Sequence, residues 1–175
     1  MSNISLKMKT ISCILSVLLF LTCFCNNPAP SATNNFYPEQ EKIIVDQVIH
    51  NAICWALTKD TTALFNTFVP DSSLFIFSPD SASTLTGFQS IKDLANNVWM
   101  TDHFKALECN IRDLRINFSK GGDVAWYSCY LDDISEWDGR RSGWQNVRWT
   151  GVMEKREGKW QIMQMHFSFP IERFR

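Results

Sequence analysis

Apolar residues recur at three- and four-residue spacing from Pro38 onward, and alternate with polar residues in the C-terminal half of the chain. The helical spacing predicts a long first helix that buries one apolar stripe. Asp60 is placed to cap a short second helix that ends at Pro70. A capping box formed by Thr86 and Gln89 predicts the start of a third helix. Three helices are therefore expected before the main strands.

The remaining segments alternate with the two-residue period of strands. The expected strands cover residues 74–77, 107–118, 124–133, 144–154 and 160–169. Between residues 107 and 118 the apolar positions change phase, which predicts a β-bulge near Arg112 and Asp113. A polar loop from Ser78 to Ser83 follows the first short strand, and is a candidate rim or lid of a pocket.

The last two strands form a hairpin, and its turn decides which side chains face each other. A two-residue turn would require a positive φ at Glu157, which disfavours it, so a three-residue loop over residues 156–158 is expected. That loop sets Arg148 opposite His166 and Thr150 opposite Gln164. One face of the hairpin then carries the polar groups, although both faces are partly apolar.

The expected fold is α+β, with long, bent, antiparallel strands that curl around the helices as a cone with a central pocket. The polar face of the hairpin is assigned to the pocket. The apolar face would need a cover from outside the protomer, and a homodimer through the outer side of the sheet is expected. The residues assigned to that interface are Trp149, Met163, Met165 and Phe167.

The N-terminal segment is expected to lie outside the folded domain. Lysines precede an apolar run from Ile11 to Phe24 that is short for a membrane span, which indicates a secretory signal and export. Cys23 or Cys25 offers the alternative of a lipid anchor, giving a periplasmic or cell-surface lipoprotein instead of a secreted protein. The expected organisation is a leader over 1–25, a linker over 26–37, the domain over 38–170 and a tail over 171–175.

Composition narrows the function classes. The chain has 175 residues, 13% of them aromatic, and a formal net charge of -1, which suits one globular domain and offers no basic surface for nucleic acid. Cys54, Cys109 and Cys129 are expected to be buried free thiols, with one disulfide as the alternative. The histidines lack the spacing of metal ligands, and no cofactor motif is present, so no metal and no cofactor are assigned.

Three polar residues are candidates for chemistry in the pocket. Asp132 is preferred to Asp133 as a base because it shares a face with aromatic residues that would raise its pKa, although both carboxylates could be solvated. His166 could transfer a proton, or be hydrogen-bonded within the sheet. Arg148 could hold a carboxylate or enolate oxygen, or form a salt bridge. The expected pocket walls are Trp55, Trp126, Tyr130, Thr150 and Gln164.

The element order and four segments resemble the SnoaL-like branch of the nuclear transport factor 2-like superfamily. The segments are Asp123-Val-Ala-Trp-Tyr, Arg148-Trp-Thr-Gly-Val-Met-Glu-Lys, Gly158-Lys-Trp-Gln-Ile and Gln164-Met-His-Phe-Ser. The resemblance covers residues 38–170. It implies a cone with a pocket between helices and sheet, commonly dimeric, among relatives that include ketosteroid isomerases, dehydratases, hydrolases and proteins without catalytic activity.

Two functions follow as hypotheses. The first is an exported protein that binds a small apolar or carboxylated molecule in its pocket without converting it. The second is an isomerase, dehydratase or hydrolase in which Asp132 or His166 moves a proton while Arg148 stabilises negative charge. Fold alone does not decide between them, since this architecture is shared by unrelated activities.

Overall fold

The computed structural model describes residues 36–80 and 83–171. Its helices are α1 Pro38–Cys54, α2 Thr61–Thr67 and α3 Phe88–Leu94. A 3₁₀ turn, Trp55–Leu57, continues α1, and a π-helical turn, Ala95–Trp99, continues α3. Its strands are β1 Phe75–Phe77, β2 Leu85–Thr86, β3 Phe104–Phe118, β4 Val124–Trp137, β5 Arg140–Arg156 and β6 Lys159–Ser168. The leader predicted over 1–25 lies outside the described residues, as do most of the linker and tail.

The six strands form one sheet in the order β2-β1-β6-β5-β4-β3. β1 runs parallel to β6, and the other neighbouring pairs are antiparallel. The helices pack on one face of the sheet and form the hydrophobic core with it. This is the predicted α+β fold, with one parallel pair of strands, β1 and β6, that was not predicted.

The predicted helix starts are partly confirmed. Asp60 caps α2, where its Oδ1 accepts a hydrogen bond from the Ala63 amide at 3.0 Å. The capping box predicted for α3 is absent, because Thr86 belongs to β2 and Gly87 precedes the helix with a φ of 77°. Gln89 instead donates to Asp93 along the helix. The wrong prediction follows from reading a strand residue as a helix cap.

The bulge predicted in β3 is confirmed. The register between β3 and β4 shifts between Arg112 and Arg115, and Asp113 has a φ of 54°. A second shift lies between Ala106 and Glu108. The bulges allow this long edge strand to bend around the helices.

The hairpin turn differs from the prediction. Arg156 pairs with Lys159 across a two-residue turn, in which Glu157 has a φ of 50° and Gly158 a φ of 79°. The two-residue turn matches the twist of the strands. It forms although the left-handed conformation of Glu157 costs about 1–2 kcal/mol. The three-residue loop is therefore wrong.

A second irregularity in the same hairpin restores the side-chain phase. The register shifts at Met163, so Thr150 lies opposite His166, and Arg148 lies opposite Ser168. The predicted pairs are displaced by two residues along the strand. Because the displacement is even, Arg148, Thr150, Gln164 and His166 share one face, as predicted.

The assignment of the two faces was wrong. Trp149, Met165 and Phe167, expected on the outer surface, are at most 3% exposed and belong to the core, while Met163 is half-buried. The polar face that carries Arg148 and Thr150 is the solvent side of the sheet. The reason is that the helices cover the continuous apolar face of β4, β5 and β6, not the mixed polar one.

Candidate functional site

A cavity lies between the helices and the inner face of the sheet. Its main chamber has a volume of about 500 Å³ and adjoins a smaller chamber of about 270 Å³. Both chambers are lined by Ala52, Ile53, Trp99, Asp133, Trp137 and Trp144. A volume of this size suits a small organic molecule, since ligand pockets commonly measure about 300–1,000 Å³.

Aromatic side chains form much of the cavity wall. The rings of Trp55 and Trp99 lie 5.8 Å apart between centroids, and those of Trp144 and Phe167 lie 5.3 Å apart. Helix α3 adds aliphatic side chains such as Ile91. Flat apolar molecules pack well against walls of this kind.

Asp133 is the one charged residue among the described residues that line either chamber. It lies on β4 and points to the same inner face of the sheet as Leu131. Its carboxyl forms no hydrogen bond or ion pair with the described residues. Burial raises the pKa of the Asp133 carboxyl from 3.8 to about 6. The cavity therefore holds a partly buried acid with a pKa of about 6 and no partner in the described part of the chain.

Serine hydroxyls and indole N–H groups are the other polar side-chain groups of the described lining. Ser78 and Ser83, the ends of the predicted rim loop, line the main chamber, and Ser135 and Ser142 line the smaller one. These residues can donate or accept hydrogen bonds but carry no charge. No cluster of metal-ligating side chains occurs within the described part of the chain.

Of the predicted site residues, Trp55 is the one that lines the cavity. Trp126 and Tyr130 lie on the outer face of β4 and are 47% and 36% exposed. Gln164 is exposed and His166 half-buried on the outer face of β6, where His166 packs against the Phe77 ring at 5.6 Å. Their predicted placement in the pocket is wrong, because the polar face of the sheet points to solvent.

Asp132, Arg148 and Thr150 are also on the outer face. Arg148 and Thr150 contribute, with Tyr130 and Arg115, to a shallow depression of about 190 Å³ there. Asp132 lies outside the cavity and is not the buried base that was predicted. The prediction that Asp132 and Asp133 point to opposite faces of the sheet was correct. The choice of Asp132 as the pocket base was wrong, because it depended on which face was assigned to the pocket.

The Asp132 carboxylate has a structural role in the outer surface. Its Oδ1 accepts a hydrogen bond from the Asn146 amide at 2.7 Å and another from Arg112 at 3.0 Å. The Asn146 amide is the main stabilising influence, and together with Arg112 it lowers the pKa of Asp132. Asn146 belongs to a bulge in β5, with a φ of 55°, so Asp132 fixes the strand beside the cavity residue Trp144.

A disulfide joins the helical wall of the cavity to the sheet. Cys54, at the end of α1 between two lining residues, is bonded to Cys109 of β3. Cys129 is free and buried. The prediction of free thiols is wrong for Cys54 and Cys109, and the alternative prediction of one disulfide is the one observed.

The model of the SnoaL-like domain family matches residues 45–172. The chain belongs to the SnoaL-like domain family. This confirms the resemblance stated from the sequence, and it covers nearly all of the described domain. No curated protein matches the sequence.

Solved structures similar to this SnoaL-like domain support the same fold. A proposed dehydratase of the NTF2-like family from Streptomyces avermitilis has 15% identity and a TM-score of 0.63, covering 78% of this chain and 100% of its own. A proposed aromatic ring hydroxylase from Novosphingobium aromaticivorans has 16% identity and a TM-score of 0.62, covering 78% and 93%. An NTF2-like protein with a cystatin-like fold from the same species has 14% identity and a TM-score of 0.57, covering 74% and 82%. At these identities the likeness shows the fold alone.

Proposed function

We propose that this SnoaL-like protein binds a small, flat, largely apolar molecule in the cavity between its helices and sheet. The observation that carries the proposal is an aromatic-walled chamber of about 500 Å³ whose described lining contains one carboxyl, Asp133, without a partner among the described residues. A carboxylated ligand is not favoured, because Arg148 lies on the outer face and the described lining offers no cation.

Binding without turnover is the first candidate because the described lining provides one titratable group. Acid-base catalysis usually needs a second group that supplies or receives the proton, or a cation that stabilises developing charge. Asp132, His166 and Arg148, assigned to those roles from the sequence, lie outside the cavity. In the described lining, the four serine hydroxyls and the indole N–H groups of the tryptophans can donate hydrogen bonds to a ligand oxygen.

A proton-transfer enzyme is the second candidate, and the raised pKa of Asp133, about 6, favours it. A base with that pKa matches a reaction near neutral pH. The role predicted for Asp132 would then belong to Asp133. The expected result for Asp133→Asn is loss of turnover with ligand binding retained, whereas equal losses of both would count against catalysis.

The cavity can be tested with the neutral fluorescent probe N-phenylnaphthylamine. Leu94 of α3 is half-buried and lines the main chamber, so Leu94→Trp should place an indole ring in part of it and weaken probe binding on the order of tenfold. The matched control is Asp93→Trp, because Asp93 is the exposed neighbour in the same helix. Equal probe binding by both variants and the wild type would refute the cavity as the binding site. Native mass spectrometry of protein from its own source would identify a retained ligand.

We also propose export. The Cys54–Cys109 disulfide supports an oxidising compartment, where such bonds persist. A periplasmic protein, a secreted protein and a surface lipoprotein anchored through Cys23 or Cys25 remain the predicted alternatives, and both cysteines lie outside the described residues. Among the described helices, none is long and apolar enough to cross a membrane.

A homodimer through the outer face of the sheet also stays a proposal, with different residues from those predicted. Trp126, Tyr130, Phe75 and Phe77 are large apolar side chains exposed on that face. Arginines and aspartates lie among them, so a two-fold copy could pair opposite charges. The aromatic residues support a second copy of this chain as the occupant, because aromatic side chains are enriched at interface cores.

A further inference from the structure

The described lining of the cavity combines aromatic faces with one acidic group, Asp133. Trp55, Trp99, Trp137 and Trp144 all line it, and Phe104 packs on Trp137 with their centroids 4.9 Å apart. The face of an indole ring carries negative electrostatic potential and attracts cations more strongly than other aromatic rings do. The wall is therefore suited to a positively charged group, in addition to an apolar body.

The Asp133 carboxyl gives the same preference. No lysine, arginine or histidine is present among the described lining residues, and no described group is bonded to this carboxyl. A carboxylate that is removed from water without a counter-charge is destabilised. A ligand that brings a positive charge into the cavity would supply the missing partner, whereas an anionic ligand would add a second uncompensated charge.

We propose that the ligand is a small organic cation, a protonated amine with a flat apolar body, whose ammonium group pairs with Asp133 among the indole rings. This inference rests on the proposed function and names the chemical class of its ligand. The ammonium group donates hydrogen bonds to the carboxylate, and serine hydroxyls of the lining accept hydrogen bonds from its remaining N–H groups. The apolar body occupies the chamber formed with Ile91 and Phe167.

Three probes of similar size and different charge test the proposal: phenethylamine, phenethyl alcohol and hydrocinnamate. Binding is measured by isothermal titration calorimetry at about pH 8, where the Asp133 carboxyl is ionised and the amine is protonated. The wild type should bind the amine on the order of tenfold more tightly than the alcohol, and hydrocinnamate most weakly. Asp133→Asn should remove the advantage of the amine and leave the affinity for the alcohol unchanged.

The control variant is Asp132→Asn, which removes the neighbouring carboxylate from the outer face and should preserve the order of the three affinities. Equal binding of the amine and the alcohol to the wild type would overturn the cation proposal but leave an apolar pocket. Tightest binding of hydrocinnamate would also overturn it. If none of the three probes nor N-phenylnaphthylamine binds, the proposed function itself fails. The wild-type series decides these outcomes even if Asp133→Asn folds poorly.

Discussion

Replacing Asp133 with asparagine should make the protein more stable at alkaline pH. The carboxyl lies in an aromatic cavity without a hydrogen-bond partner among the described residues, so its ionised form is destabilised there. Asparagine has almost the same shape and cannot ionise. Residues whose replacement stabilises the fold are common at functional sites, because function there requires groups that destabilise the folded state.

The size of the effect follows from the pKa of Asp133. A rise from 3.8 to about 6 corresponds to about 3 kcal/mol, at about 1.4 kcal/mol for each pKa unit. The folded state binds the proton more tightly than the unfolded chain does, so the stabilising contribution is complete below about pH 4 and is lost as the pH rises through 6. Asp133→Asn should therefore gain up to about 3 kcal/mol at about pH 8 and nothing near pH 4.

Urea unfolding followed by circular dichroism at a series of pH values between about 4 and 8 measures this difference. NMR titration of the Asp133 carboxyl carbon measures the pKa directly. Asp132→Asn is the matched control, because the pKa of Asp132 is lowered and the sign is reversed: it should destabilise the protein at neutral pH, with the difference shrinking as the pH falls. An Asp133→Asn difference that is absent at about pH 8, or independent of pH, would refute the reasoning.

Three further predictions concern the scaffold and the outer face. Replacing Cys54 and Cys109 by serine opens a link across 55 residues and should cost up to about 4 kcal/mol of unfolding free energy in non-reducing urea titrations; an unchanged midpoint would contradict the bond. In Gly151→Ala the new Cβ would lie 2.5 Å from the Tyr127 hydroxyl, so a loss of about 1–3 kcal/mol is expected in thermal unfolding, and a neutral result would show that the ring can move. Trp126→Glu should convert a dimer to a monomer in sedimentation velocity with the fold retained, whereas a wild-type monomer at micromolar concentration would exclude the dimer.

The elements of this fold could be predicted because their signals are local. The apolar stripe of the first helix, the Asp60 cap and the phase change near Asp113 each depend on neighbouring residues, and each corresponds to a feature of the structure. The capping box at Thr86 shows the limit, since the same residues suit a strand end when a glycine follows. Resemblance to a family then supplied the arrangement of elements that local patterns do not specify.

The side of the sheet that faces the helices could not be read from the hairpin alone. Both hairpin faces are partly apolar, and a pocket was expected to take the polar one. The deciding signal spans two strands: Tyr127 and Leu131 of β4 share a face with Val147 and Trp149 of β5, and together they form a broader apolar surface than the outer one offers. Helices cover the surface that buries more apolar area.

The bulge in β5 explains why Asp133 and Trp144 meet, and why a strict two-residue period misses that site. Trp144 and Val147 are three residues apart, yet Leu131 and Asp133 opposite them are two apart, so the extra residue turns Trp144 inward beside Asp133. The Asn146 amide at this bulge is held by the Asp132 carboxylate. The two adjacent aspartates thus have complementary roles. On the outer face, Asp132 stabilises the bulge in β5, and this bulge places the Trp144 indole next to the Asp133 carboxyl on the inner face. Removing the Asp132 side chain should therefore weaken ligand binding indirectly, through the position of Trp144, while leaving the preference for a cation intact.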